Sequence, residues 1–373
     1  MRVLQVLEAT LGGTRRYLED VFTALGGGNG NGLAYSLRRA DAPFIALLES
    51  LRSAGWQLFE VDMRREISPL HDLQRARELQ KIYRSFRPDV VHAHSSKAGA
   101  LARIATIGMA NRPRLVYTPH SIAANISRAY GLIEKILALR LDILMAVTES
   151  EREELGKLCL VPPLRMHVAV PTISGEKFVP RQRERARLEL ALGDEPLVIA
   201  IGRLSSQKDP FAFVNFVSAL RTQVPDVRAI WVGDGDLRAT VEQRITFLGL
   251  EECVTITGWL NDVRPYLAAC DLFVSTSQYE SFGYVTAEAL AMERPVVASA
   301  INGTIDVVRT NVSEQLFQQS DIVGASFLAE RFLREPEFAQ ETARRGRASV
   351  LETFSVSETR RGLHGAYNAA LKN

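Results

Sequence analysis

Four charged residues in this sequence are spaced to do chemistry. Glu280 and Glu288 are carboxylates with seven residues between them, and Arg203 and Lys208 are cations five positions apart around a polar turn. A carboxylate in the position of Glu288 can accept two adjacent hydroxyls of a ribose at once. An arginine such as Arg203 grips a diphosphate through two parallel N–H bonds, and Lys208 adds a point charge. On spacing alone the bland alternatives stand beside these: solvated helix-end carboxylates and solvated turn cations.

The elements that must position these residues are legible from apolar runs and breakers. Asp271-Leu272-Phe273-Val274 is a buried strand that ends in a polar loop carrying Tyr279, Glu280, Ser281, Phe282 and Gly283. A helix over about 285–292 places Glu288 in its first turns. Arg294-Pro295 stops it and Val296-Val297-Ala298 is the next strand, completing a βαβ unit. Leu197 to Ile201 is a strand delivering Gly202 and the Arg203–Lys208 turn. Loops at the carboxyl ends of parallel strands are where open α/β sheets bind ligands, and a helix N-terminus favours an anion.

Two further loops have open readings. Ala229 to Val232 leads into Gly233-Asp234-Gly235-Asp236, either a glycine turn or an Asp-x-Asp pair for a divalent metal. Trp259, in the turn after the strand at 254–257, can stack on a base or simply pack. In the first half, Val3 to Leu7 is a strand followed by a tight turn at Leu11-Gly12-Gly13, with Thr14 capping a helix to Leu25. Gly13 allows close approach of a phosphate or sugar. Strands are expected at 33–37, 57–61, 89–94, 115–120, 143–147 and 166–170, and helices at 44–54, 71–86 and 129–140. The last of these is amphipathic, with Lys135 and Arg140, and suits packing on a sheet or contact with a membrane surface. His92 and His94 face one side of their strand, as a strand-end pair or two ligands of a metal. His120 ends the strand at 115–120.

At 373 residues the chain is long enough for two domains. Residues 1–180 carry 24 Lys and Arg against 18 Asp and Glu, and the remainder 21 against 25. A basic first half suits an anionic acceptor or membrane surface, or is simply solvated. Cys159, Cys253 and Cys270 are odd in number and widely spaced, as free thiols in a reducing compartment would be. No apolar run reaches the ~20 residues of a membrane span, and the N-terminus has no signal-peptide pattern. A dinucleotide-binding G-x-G-x-x-G does not follow the first strand.

The stretch from Ser275 to Ser299 resembles the E-x7-E segment of glycosyltransferase family 4, retaining nucleotide-sugar transferases. Ser277, Glu280, Phe282, Gly283, Glu288, Ala289, Ala291 and the run Pro295 to Ser299 match that segment. Glu293 replaces its usual glycine, and Asn302-Gly303-Thr304-Ile305-Asp306 replaces G-G-x-x-E. Gly202-Arg203-Leu204 with Lys208 matches the family's G-R-L-x-x-x-K, and 92–103 is similar to loops of bacterial surface-polysaccharide transferases. The resemblance implies an α/β protein of GT-B fold, two Rossmann-like doubly wound domains facing a cleft. An acceptor-side domain is expected over 1–173, a nucleotide-sugar domain over 174–355, and a last helix from 356 crossing back to the first.

The resemblance also implies roles. Arg203 and Lys208 would stabilise the departing diphosphate, Glu280 would hold the donor sugar, and Glu288 the ribose. Backbone groups at Phe282, Gly283 and Tyr284 would complete the sugar site. Gly233 and the Trp259 turn would line the nucleotide pocket, Gly13 would face the donor phosphate, and His120 would lie beside the transferred sugar. Ser95, Ser96 and Lys97 would open a helix facing the acceptor. No cofactor or metal and no nucleic-acid partner is expected. The expected donor is a UDP- or GDP-sugar and the acceptor a lipid-linked glycan, handled in the cytoplasm or peripherally at the inner membrane face. Alternatives are a soluble small-molecule acceptor, an epimerase or hydrolase on the same fold, and a non-catalytic nucleotide-sugar-binding partner.

Overall fold

The computed structural model describes every residue except Leu11, Asn29, 121–127, Cys159, Asn311 and Asn373, and the side chains of Arg128, Ala129, Tyr130 and Val312. The expected Leu11 turn position and the Cys159 thiol lie outside the described residues. The chain forms two compact units, residues 1–172 with 356–373, and residues 173–355.

The first unit alternates β1 (Val3–Leu7), α1 (Gly12–Leu25), β2 (Asn31–Tyr35), α2 (Ala42–Ser53), β3 (Gln57–Glu60), α3 (Pro69–Phe86), β4 (Val90–His94), α4 (Ser96–Ile104), β5 (Arg114–Thr118), α5 (Arg128–Ala138), β6 (Ile143–Ala146), α6 (Glu149–Lys157) and β7 (Met166–Val168). The strands make one parallel sheet in the order β3-β2-β1-β4-β5-β6-β7. Leu4, Val6, Val91, Ala93, Leu115 and Tyr117 bury one sheet face against Leu79, Ile82, Phe86 and Leu101. Near the other edge, Leu7, Leu33 and Tyr35 pack on Leu18, Phe22, Phe44 and Trp56.

Several expected boundaries shift, each for a local reason. β2 begins at Asn31, two residues before the expected strand, because Gly32 lets Phe86 and Leu4 fill the space a side chain would take. α1 begins at Gly12, at φ +69°, so Thr14 sits inside the first turn and does not cap the helix. β5 stops at Thr118 and His120 lies beyond it at φ +62°.

The second unit contains α7 (Arg183–Glu189), β8 (Leu197–Ile201), α8 (Pro210–Arg221), β9 (Arg228–Val232), α9 (Arg238–Phe247), β10 (Val254–Ile256), α10 (Arg264–Ala269), β11 (Leu272–Ser275), α11 (Tyr284–Ala291), β12 (Val296–Ser299), α12 (Thr304–Val307), α13 (Val312–Gln315), β13 (Leu316–Phe317), α14 (Ile322–Arg334) and α15 (Pro336–Thr353). Its parallel sheet runs β10-β9-β8-β11-β12-β13. Order reverses beside β8 and β11, the strands whose carboxyl ends carry Arg203, Lys208 and Glu280. The last helix, α16 (Val356–Lys372), belongs to the first unit and packs on α1, β5 and β7.

α11 ends in a Schellman motif: Arg294 N–H donates to the Ala289 carbonyl and Glu293 N–H to that of Leu290, both at 2.9 Å. The turn needs a left-handed residue, and Glu293 supplies it at φ +54°. That is the position where the resembling family has glycine. An L side chain there costs roughly 1–2 kcal/mol, against roughly 0.5–1 kcal/mol of extra unfolded-state entropy for glycine. The Glu293–Arg347 ion pair, at 3.7 Å and partly exposed, offsets little. Glu293→Gly is therefore expected to stabilise the protein by up to about 1 kcal/mol in a denaturant titration. A lowered midpoint would show that the side chain's contacts outweigh the backbone strain.

Candidate functional site

In the second unit the site begins with backbone touching backbone. Gly202 N–H donates to the Val232 carbonyl at 3.0 Å and Leu204 N–H to that of Asp234 at 3.0 Å. Gly233, at φ +143°, lies so close that a Cβ would stand 2.1 Å from the Gly202 oxygen, and one at Gly235 would stand 2.4 Å from that of Leu204. Gly233 also bridges Gly258, which holds the Trp259 turn beside it. Three strand-end loops are thus joined, and Arg203 is left exposed on their rim. Trp259 does not pack; its indole is largely exposed.

The Asp234 carboxylate accepts from Gly235 N–H at 2.8 Å and from Arg238 at 2.9 Å. These bonds, the backbone one first, hold it below the usual aspartate range. Both are local turn and helix contacts, which favours the glycine-turn reading of 233–236. Among the described residues no cluster of three or more His, Cys, Asp or Glu is placed to hold a metal.

The loop after β8 is zipped to the loop after β11. Gln278 N–H donates to the Gln207 carbonyl at 2.7 Å, and the Thr276 hydroxyl to the Lys208 and Asp209 carbonyls at 3.1 and 2.9 Å. Asp209, at φ +45°, caps α8 through Ala212 N–H. This brings Lys208 and Glu280, 72 residues apart, into a direct ion pair, with the Ser277 hydroxyl on the same carboxylate oxygen at 3.1 Å. Sequence reasoning assigned the two side chains to different parts of a ligand and did not foresee that they hold each other.

Gly283, at φ +89°, caps α11 with its backbone only. The Phe282 ring is core, edge-on to Tyr284 at 4.9 Å and to Phe354 at 4.8 Å. Only the backbone at Phe282 is therefore available to a ligand. Glu288 lies on the second turn of α11 and is 3% exposed. The 302–303 loop closes against the loop before α11: a Cβ on Gly303 would stand 2.7 Å from Phe282 N. Thr304 follows, 1% exposed, its hydroxyl without a hydrogen-bond partner among the described residues. Sequence reasoning missed Thr304, whose only signal is a hydroxyl inside the departure at 302–306.

In the first unit a buried polar chain leads from His120. His120 Nε2 bonds His94 Nδ1 at 3.0 Å, and His94 Nε2 bonds Gln5 Oε1 at 2.8 Å. Gln5 Nε2 donates to the Tyr367 hydroxyl at 3.1 Å. That hydroxyl bonds His92 Nδ1 at 2.8 Å, and His92 Nε2 meets the Thr118 hydroxyl at 2.8 Å. The strand register explains the alignment, since Gln5 pairs with His92, and His94 with Thr118. Because a neutral imidazole donates from one nitrogen and accepts at the other, the amide of Gln5 sets one direction for the chain. With its oxygen toward His94, all three imidazoles carry their proton on Nε2. His92 and His94 do lie on one face, ring centroids 4.0 Å apart, but as members of this chain. Tyr17 stands edge-on to His120 at 4.9 Å. Gly13 is exposed in the first turn of α1. Lys97 is tied to both oxygens of Asp72 at 2.7 Å.

Two family models match this chain, Glycosyltransferase Family 4 over residues 39–174 and Glycosyl transferases group 1 over 182–349. A D-inositol 3-phosphate glycosyltransferase of Mycobacterium sp. (strain KMS) is 30% identical over 305 residues, 76% of this chain and 67% of that enzyme. This chain belongs to the family 4 glycosyltransferases. The UDP-Gal:alpha-D-GlcNAc-diphosphoundecaprenol alpha-1,3-galactosyltransferase of Escherichia coli is 29% identical over 69% of this chain and 70% of its own. Anabaena HepE, solved in complex with UDP, superposes with a TM-score of 0.83 at 21% identity, over 98% of this chain and 99% of that one. The likeness establishes the GT-B fold.

The three imidazoles of the buried polar chain, His92, His94 and His120, are held neutral by burial. Burial pushes His120 down to about 3, and pushes His92 and His94 well below the usual range, with neighbouring imidazoles adding to the effect. The folded protein therefore binds fewer protons than the unfolded chain below the unfolded histidine value of about 6.5. Stability is complete above that value and declines as pH falls from it toward about 3. Each imidazole kept neutral contributes a slope of about 1.4 kcal/mol per pH unit. Urea midpoints at a series of pH values from neutral downward should fall with that sense, and His120→Asn should flatten the slope. Stability independent of pH over that window would contradict the neutral chain.

Proposed function

We propose that this glycosyltransferase moves a sugar from a UDP-sugar to a hydroxyl of a lipid-linked glycan, with retention of configuration and without a metal. The observation that carries the reading is the Lys208–Glu280 pair on the zipped loops after β8 and β11, with Arg203 exposed beside it and Glu288 buried on α11. A diphosphate brings negative charge to Arg203 and Lys208, and Lys208 turns toward it. Glu280, released from its partner, accepts hydroxyls of the donor sugar. Glu288 receives the two ribose hydroxyls, and backbone N–H groups at the N-terminus of α11 complete the sugar site.

In the transfer the bond between the anomeric carbon and the diphosphate oxygen breaks, and a bond from that carbon to the acceptor oxygen forms. The acceptor's proton passes to the departing diphosphate. Arg203 and Lys208 stabilise that leaving group, a role a divalent ion fills in other transferases. His120, neutral and fixed through His94 and Gln5, offers a hydrogen-bonding group rather than a charge. UDP is favoured by the UDP named for the Escherichia coli relative and bound in the Anabaena structure, and the lipid-linked acceptor by the former's diphosphoundecaprenol substrate and by the basic first half. Family membership supports retention. The same features support work at the inner face of the membrane.

Glu288→Ala is expected to lose roughly 2–4 kcal/mol of transition-state stabilisation, read as kcat/KM for the donor. An unchanged kcat/KM would remove Glu288 from the site.

A further inference from the structure

Among the described residues α5 presents an unpartnered apolar stripe. Leu132, Ile133, Ile136 and Leu139, in α5 and the turn after it, are 61, 45, 57 and 84% exposed. Their spacing, i, i+1, i+4 and i+7, puts them on one side of the helix. Lys135 is exposed at one edge of the stripe, and Arg140, half-exposed, follows in the turn after the helix. The sole carboxylate of the segment 128–140 is turned the other way. Glu134 is buried, with both oxygens on the Arg103 guanidinium at 2.9 and 3.1 Å. Arg103 is itself 1% exposed, donates to the Gly99 carbonyl at 2.8 Å, and lies over the Tyr117 ring at 4.6 Å.

The pair does two things. It anchors α5 to the unit from behind, and it removes the helix's negative charge from the outer face. What remains outward is aliphatic, with Lys135 along one edge and Arg140 at the end of the helix. A second copy of this chain is a poor occupant, because two-fold pairing of the stripe brings Lys135 and Arg140 toward their own counterparts. An anionic lipid surface fits, taking the aliphatic side chains at its acyl boundary and the two cations at its phosphates.

We propose that α5 is an interfacial helix seating the first unit on an anionic bilayer. The inference deepens the lipid-linked acceptor reading by naming the surface that meets the membrane. It is tested without any acceptor, by co-sedimentation with vesicles of phosphatidylcholine alone or with about one third phosphatidylglycerol. Wild type is expected to bind the anionic vesicles, more weakly at high salt, and to bind the neutral ones poorly. Leu132→Ser/Ile136→Ser/Leu139→Ser should lower partition at least about ten-fold, since each removes an aliphatic group from the boundary. Its melting temperature should be unchanged, because these side chains are exposed. Lys135→Gln/Arg140→Gln should abolish the preference for anionic lipid. Wild type that stays in the supernatant, or a triple-serine variant that binds as wild type does, overturns the proposal. So does a concentration-dependent dimer in sedimentation velocity that the triple variant loses. Vesicle binding by an enzyme that transfers to no lipid-linked acceptor would keep this inference and discard the acceptor reading.

Discussion

The close approach of Gly233 to the Gly202 carbonyl is the constraint on which the second unit's site rests. Two strand ends meet there with no side chain between them, so the chain leaving β8 must turn where it does. Arg203 is put on the rim by that turn, and Lys208 is aimed toward the loop after β11. A methyl group at Gly233 would have to displace a carbonyl, which is backbone and cannot rotate away. The loops are then fixed by their own hydrogen bonds, Gln278 to Gln207 and Thr276 to Lys208 and Asp209. The Lys208–Glu280 pair in this frame is a charge contact able to exchange partners when an anion arrives.

The first unit uses a different device. Polar side chains stand inside a sheet covered on both faces, where apolar ones are the rule. Gln5, His92, His94 and Thr118 are tolerated there because each finds a partner, and Tyr367 from α16 closes the chain. The result is a rigid, uncharged support for His120. Low dielectric keeps the imidazoles neutral, so the support does not change character over the range where free histidine titrates.

Much of the architecture was legible in sequence because it rests on local signals. β8 and α11 are marked by apolar runs ending in glycine, or stopped by Arg294-Pro295. What was not legible depends on residues distant in sequence. Nothing near Gln5 announces Tyr367, 362 residues away, and nothing near Lys208 announces Glu280. Phe282 read as a site residue through its backbone, and its ring is core, edge-on to Tyr284 and Phe354. Glu293 stands in sequence where the resembling family has glycine. The structure shows the departure absorbed as backbone strain, with the left-handed turn kept. Thr14 looked like a cap because a glycine pair reads as a turn, whereas α1 starts within the pair. α5 was legible as amphipathic, but which face was apolar and free depended on the Arg103–Glu134 pair, 31 residues apart in sequence.

The central claim is that the joined loops of the second unit hold a nucleotide diphosphate through Arg203 and Lys208. The most direct measurement is calorimetric titration of UDP in EDTA, on wild type and on Lys208→Met. Binding that survives chelation and weakens at least about ten-fold in the variant is the expected result, one charge-assisted contact being worth roughly 1.5–3 kcal/mol. Binding that requires Mg²⁺, or that is equally tight in both proteins, would contradict the account and return attention to Asp234 and Asp236.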